Sequence, residues 1–311
     1  MRVLVAGSSG LVGSALLREF LSSKYEVVGI SSKDLDLTDE KSTIKWFKDQ
    51  KPFDVVIDSA AKVGGILANS ENPVEFLSLN LKIQNNLMAA CNLTNVSKFI
   101  FLGSSCIYPR NAKQPIKEEY LLSGTLEETN SAYAIAKIAG IEMVRAYRKE
   151  YGRNWISLMP TNIYGPKDNF NVDSSHVVPA LIRKFINARQ EDKSEVTLWG
   201  TGSPLREFLF SDDLASAIHF AMKNYDGDEH LNVGTGQEIS IADLARLIAE
   251  EVKYNGVIKW DSSKPDGTPR KLLDSSKLNK LGWMPSTTLR DGIRLTISWF
   301  EKAMEQKEVR V

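Results

Sequence analysis

Cysteine is scarce: Cys91 and Cys106 are the only two in 311 residues. Two thiols cannot build a disulfide framework, which excludes the stapled secreted scaffolds. An excess of positive charge is missing too, since Lys+Arg and Asp+Glu each number 39. That balance leaves no general electrostatic footprint for nucleic acid, although a local patch for a phosphorylated ligand stays compatible with it. No apolar run reaches the ~20 residues that cross a bilayer, so no membrane partner is expected. The opening Met1-Arg2-Val3-Leu4-Val5-Ala6-Gly7 enters a strand-like run without the apolar core and cleavage site of a signal peptide. A cytoplasmic protein is therefore expected. Asn92-Leu93-Thr94 and Asn95-Val96-Ser97 fit the glycosylation pattern, and without a secretion signal they read as chance matches. The spacing of histidines, cysteines and acids shows no metal cluster.

What is present is ordinary globular usage, 42% hydrophobic and 25% charged, enough for one large α/β unit or two modest domains. Apolar, β-branched runs at 2–6, 26–30, 54–58, 98–102 and 155–159 alternate with helix-period stretches at 11–21, 41–48, 74–90 and 133–148. Strands separated by helices predict a parallel sheet wound by right-handed crossovers. Past residue 165 the elements shorten, and Pro and Gly cluster at 165–166, 200–204 and 265–269. The expected fold class is α/β: a Rossmann-type doubly wound sheet over 1–165. A smaller, mainly substrate-binding lobe follows over 166–311, with some segments returning to the core.

Gly7-Ser8-Ser9-Gly10-Leu11-Val12-Gly13 lies between the first strand and the first helix. Glycines there permit a tight turn, let backbone approach a pyrophosphate, and let helix and strand pack closely. The helix N-terminus then offers free N–H groups and a positive dipole end to phosphates. The second strand ends in Gly29-Ile30-Ser31-Ser32-Lys33, without the acid that would bind a ribose 2′-hydroxyl. Ser31, Ser32 and Lys33, two hydroxyls and a cation, suit a 2′-phosphate instead, which favours NADP over NAD.

Tyr133 and Lys137 stand four residues apart, so a helix puts phenol and ammonium on one face. A nearby cation favours the phenolate and would bring its pKa towards the working range. Tyr133 can then donate a proton to a carbonyl under reduction, and Ser104, in Gly103-Ser104-Ser105, can hydrogen-bond the same oxygen.

These residues, with Arg206-Glu207-Phe208-Leu209 and Asp212-Asp213, resemble the extended short-chain dehydrogenases that act on sugar nucleotides. The likeness sharpens over 60–66, 102–109, 133–141, 159–166 and 264–271 to the GDP-sugar epimerase/reductases within that family. It implies epimerisation at C3 and C5 of GDP-4-keto-6-deoxy-D-mannose, then NADPH-dependent reduction at C4 to GDP-L-fucose. The alternatives are a GDP-L-colitose-type epimerase/reductase, another sugar-nucleotide 4-reductase, and a silent nucleotide-binding regulator. The resemblance makes Cys106 and His176 the acid/base groups of epimerisation. It implies that Leu102, Gly103, Ser104, Ser105, Lys137, Pro160, Thr161, Asn162, Ile163 and His176 line the cofactor. Lys184, Trp199, Arg206 and Asp266 would hold the GDP-sugar, and the chain would be a homodimer. Two positions depart from the pattern: Ser9 and Ser32 stand where relatives carry arginines, so Lys33 is left as the cation for a 2′-phosphate.

Overall fold

The computed structural model describes residues 1–171, 174–264 and 266–306. Pro265, which belongs to stretches singled out above, lies outside them. The chain runs β1 (Arg2–Ala6), α1 (Leu11–Leu21), β2 (Glu26–Ile30), α2 (Glu40–Asp49), β3 (Val55–Asp58), a short α3 (Ile66–Glu71) and α4 (Pro73–Leu93). It continues through β4 (Lys98–Leu102), α5 (Ser131–Tyr151), β5 (Ile156–Pro160), β6 (Asn162–Tyr164), α6 (Val177–Gln190) and β7 (Glu195–Trp199). Then come β8 (Leu205–Phe210), α7 (Ser211–Asn224), β9 (Leu231–Val233), β10 (Glu238–Ser240), α8 (Ile241–Val252), β11 (Val257–Asp261), β12 (Arg270–Lys271), α9 (Ser276–Leu281) and α10 (Leu289–Glu305).

The principal sheet has the order β2-β1-β3-β4-β5-β9, every pair parallel. This is the Rossmann-type doubly wound arrangement. The order reverses around β1 and β3, which opens a crevice at the carboxyl ends of the strands where ligands bind in such sheets. β3, β4 and β5 are buried along their whole lengths, as strands covered on both faces must be. One face packs Leu4, Val56, Phe99 and Phe101 against α4 and α5. The other packs Val3, Val5, Ile57 and Ile100 against α1 and α7.

Helix ends follow local chemistry more closely than hydrophobic period. Asp39 caps α2 by accepting from Ser42 N at 2.8 Å, which starts the helix at Glu40. Pro73 occupies the first turn of α4, and Gly152 ends α5 in the left-handed region. α5 consequently begins at Ser131, two residues ahead of Tyr133.

The later residues split between two places. β9 joins the principal sheet beside β5, and α7 lies on its face. Leu278 of α9 packs in the second core, while α6, α8 and α10, with β7 and β8, gather around Phe185, Ile248, Phe210 and Phe300 in a third core. Its frame is β8, which pairs β6 and β12 in parallel and β10 antiparallel.

Candidate active site

The glycine loop turns at Gly7, whose φ of 80° suits a residue without Cβ. Gly7 N and Ser8 N both donate to Ile30 O at 2.9 Å, tying the loop to the end of β2. A Cβ on Gly13 would run into the Gly7 carbonyl, so that glycine sets how closely α1 approaches β1. α1 itself starts at Gly10 with no side-chain cap and no acid in its first turn. Its leading N–H groups are thus left for an anion, and this arrangement fits a dinucleotide pyrophosphate.

Beyond β2 the chain makes a tight turn in which Asp34 accepts from Ser31 N at 2.8 Å and from Ser31 Oγ at 2.6 Å. The Ser31 hydroxyl is therefore engaged, and a carboxylate lies three residues along. The Ser31 bonds hold that carboxyl below its usual range. Ser32 and Lys33 remain exposed at the tip of the turn.

Tyr133, Ser104 and Lys137 meet at the carboxyl ends of β4 and β5. The phenol lies within hydrogen-bond reach of Ser104, and burial, reinforced by Cys106, pushes its pKa up. Lys137 is buried, and its ammonium donates to Leu102 O at 2.8 Å, 5.9 Å from the Tyr133 ring centroid. Spacing predicts an ammonium that lowers the phenol's pKa; the fold aims it at a carbonyl, and burial dominates. The tyrosine is therefore held as the protonated acid. Burial also pulls Lys137 down, and Asp58 opposes it. Asp58, 1% exposed at the end of β3, is itself raised to about 6 by burial, with Lys137 and the Ala60 N–H acting the other way. Asp58 escaped the sequence reading, although an acid closing an otherwise apolar strand was the visible signal.

Cys106 follows Ser104 in a short 3-10 turn, Ser105–Ile107, capped by Ser104 Oγ accepting from Cys106 N at 3.2 Å. The half-buried thiol receives Asn130 Nδ2 at 3.3 Å and Lys271 Nζ at 3.5 Å. Burial alone would raise its pKa, but the Lys271 charge and hydrogen bonds from Ser104, Lys271 and Asn130 together bring it below the ordinary thiol value. Neither Asn130 nor Lys271 stood out as a functional side chain in the sequence, because their meeting depends on β12 docking beside β8.

His176 is the residue preceding α6 and is exposed. Its loop is drawn over the crevice by Gly65 N, which donates to Ser174 O at 3.0 Å. Among the described residues no hydrogen bond reaches its ring, nor does one join it to Cys106.

The outer contacts also converge. Lys184 Nζ donates to Thr197 O at 3.2 Å on β7, and Trp199, 67% exposed, ends that strand with Lys264 Nζ 5.5 Å above its ring. An exposed indole here rules out a plain core aromatic. Burial disfavours the charge of Arg206, while Asp266, Cys106 and Glu127 offset this. Asp266 accepts from Thr201 N at 2.9 Å and Thr201 Oγ1 at 2.7 Å, so it clasps the 200–203 turn. Pro160, Thr161, Asn162 and Ile163 carry β5 into β6, where Thr161 N donates to Val233 O and Asn162 Nδ2 to Glu207 O.

A model of the NAD dependent epimerase/dehydratase family matches residues 3–234. The chain is 54% identical over 301 residues to probable GDP-L-fucose synthase 1 of Oryza sativa subsp. japonica, covering 96% of this chain and 92% of that one. Its structure is similar to a GDP-6-OMe-4-keto-L-xylo-heptose reductase from C. jejuni, with TM-score 0.91, 35% identity and 97% of each chain covered. It is also similar to a GDP-L-fucose synthetase from Naegleria fowleri bound to NADP, with TM-score 0.90 and 31% identity over 100% of this chain and 96% of that one.

Proposed function

This chain belongs to the NAD dependent epimerase/dehydratase family, and we propose that it is a GDP-sugar epimerase–reductase that turns GDP-4-keto-6-deoxy-D-mannose into GDP-L-fucose. The observation that supports the reading is that a second candidate acid/base system, centred on Cys106, shares the crevice of Ser104 and Tyr133. Ser104 and Tyr133 form a proton-donor pair, and the Cys106 thiol lies close enough to raise the phenol's pKa. A plain reductase has use for the first system only.

Protons beside a ketone are acidic because the electron pair left behind moves onto the carbonyl oxygen. Ser104 and Tyr133 would stabilise that oxygen, Cys106 would take a proton from one ring face, and His176 would return one to the other. Inversion at C3 and C5 follows. Bound NADPH would supply the hydride for C4, and Tyr133 would deliver a proton to the C4 oxygen. Residues 7–13 would cradle the pyrophosphate, with Ser32 and Lys33 at the 2′-phosphate and Lys137 at the nicotinamide ribose. Lys184, Trp199, Arg206 and Asp266 would hold the GDP moiety. Exposed Val74 and Leu93 on α4, with Ile135 and Tyr151 on α5, support a homodimer joined through these helices, which the mass in solution tests.

The two chemistries separate in D₂O. Epimerisation needs no hydride, so the enzyme without NADPH should exchange the C3 and C5 protons. Tyr133→Phe should still catalyse exchange, because Ser104 remains at the enolate oxygen, while NADPH oxidation falls by roughly 10²–10⁴. Cys106→Ser and His176→Asn should lose exchange, as seen by mass spectrometry of the sugar. Undiminished exchange in both would make Cys106 and His176 structural, and a wild-type enzyme that exchanges nothing would be a plain 4-reductase.

A further inference from the structure

We propose that Lys271 is the positioning residue that holds Cys106 as a thiolate and thereby makes it the base of the crevice. The inference rests on the epimerase reading for the use of that base, though not for the pair itself.

β12 is only two residues long, and its side chains leave on opposite faces. Arg270 turns to Glu238, with Nε 2.8 Å from Oε2. Lys271 takes the other face, where its ammonium donates to Cys106 Sγ at 3.5 Å. Among the described residues no carboxylate pairs with Lys271. A half-buried ammonium without a carboxylate is stabilised by whatever negative charge its surroundings can develop, and the sulfur is in that position. Asn130 Nδ2 adds a neutral donor at 3.3 Å, and among the described residues its buried amide oxygen has no partner that would pull the side chain from the sulfur.

The strand carrying Lys271 is fixed on both sides. Leu205 N donates to Pro269 O at 2.9 Å, and Gln114 Nε2 and Oε1 hold Arg270 O and Leu272 N. Glu207 Oε2 accepts from Leu273 N at 3.0 Å. In register, Lys271 stands opposite Arg206 of β8. The titratable groups facing the thiol are thus Lys271 from β12, Arg206 from β8 and Tyr133 from α5. Arg206 has Asp266 and Glu127 as its own neighbours and the phenol is neutral, so Lys271 is the cation that acts on the sulfur.

In the proposed step the thiolate forms an S–H bond with the proton beside the ketone as the C–H bond breaks. The electron pair moves to the carbonyl oxygen, a proton comes back from the opposite face, and the thiol returns its own to solvent.

The test follows Cys106 alkylation by iodoacetamide from pH 5 to 10, in the full chain, by peptide mass spectrometry. Cys91 is 0% exposed and serves as the internal unreactive control. The wild-type midpoint should lie below the free-thiol value of ~8.5. Lys271→Met should raise it by a unit or more, lowering the rate at pH 6.5 about tenfold, and the pH profile of solvent deuterium exchange should move equally. Lys271→Arg should restore most of both. If Lys271→Met does not fold, Lys271→Gln is read the same way. An unchanged midpoint in a folded variant, or a wild-type midpoint at or above the free-thiol value, overturns the pair. A shifted midpoint in a protein that exchanges no deuterium upholds the pair and fails the epimerase reading.

Discussion

At the scale of single residues, cofactor preference comes down to three side chains after β2. Ser31 is engaged by Asp34, so discrimination for a 2′-phosphate falls to Ser32 and the exposed Lys33. Asp34 adds a negative charge nearby, which should narrow the margin. We expect kcat/KM to favour NADPH modestly, and Lys33→Glu to reduce the ratio to near unity or reverse it, because one favourable contact becomes a repulsion. Steady-state kinetics with both nicotinamides reads this. An unaltered ratio in Lys33→Glu would remove Lys33 from the site. The sequence offered Ser31, Ser32 and Lys33 by position, and the structure removes Ser31 because its hydroxyl already donates to Asp34.

At the scale of elements, Glu207 is the junction of the substrate lobe. It sits 0% exposed on β8, where Oε1 accepts from Thr235 N and Gly236 N at 2.7 Å each and Oε2 from Leu273 N. One carboxylate thus ties β8 to the loop after β9 and to the segment that carries Lys271. Glu207→Gln keeps the shape but turns an amide N–H₂ towards at least one of those backbone donors. A buried donor left without an acceptor costs ~1–3 kcal/mol, so urea denaturation should show a loss in that range. A change under about 0.5 kcal/mol would mean that the junction is held by its strands alone. The stretch containing Glu207 was visible in the sequence as part of a family likeness; its partners lie 28 to 66 residues away and were not.

At the scale of the whole molecule, the buried ionisable groups make stability depend on pH in opposite directions. Asp168, 4% exposed and with Oδ2 unpartnered among the described residues, is raised by burial to about 7. Its folded pKa exceeds its unfolded value, so its contribution is complete below about pH 4 and is lost as pH rises through 7. Asp58 runs the same way, up to about 6. His230 is lowered to about 4, chiefly by burial, so its contribution holds above pH 6.5 and disappears as pH falls towards 4. Asp168→Asn keeps an acceptor for Asn169 N, which donates to Asp168 Oδ1 at 2.7 Å, and removes the titration. It should therefore be more stable than wild type at pH 8, by on the order of a few kcal/mol. The gain should fade towards pH 4. Melting temperatures across that range decide it, and a gain independent of pH would count against a buried charge.

The sequence by itself determined the order of elements, the parallel sheet, the glycine turn and the Ser104, Tyr133 and Lys137 set. Each is written in local spacing: apolar runs of strand length, a helix face of four-residue steps, glycines where backbone must come close. It placed both ends of α1, while its ends for α2, α4 and α5 were off by one to three residues because caps such as Asp39 and Gly152 decide them. Only the tertiary structure decided where charges go. Lys137 meets Leu102 and Asp58, and Lys271 meets Cys106 across 165 residues of chain. Burial and the electrostatic partners of an ionisable group are properties of what packs around it, and packing brings together residues that no period in the sequence connects.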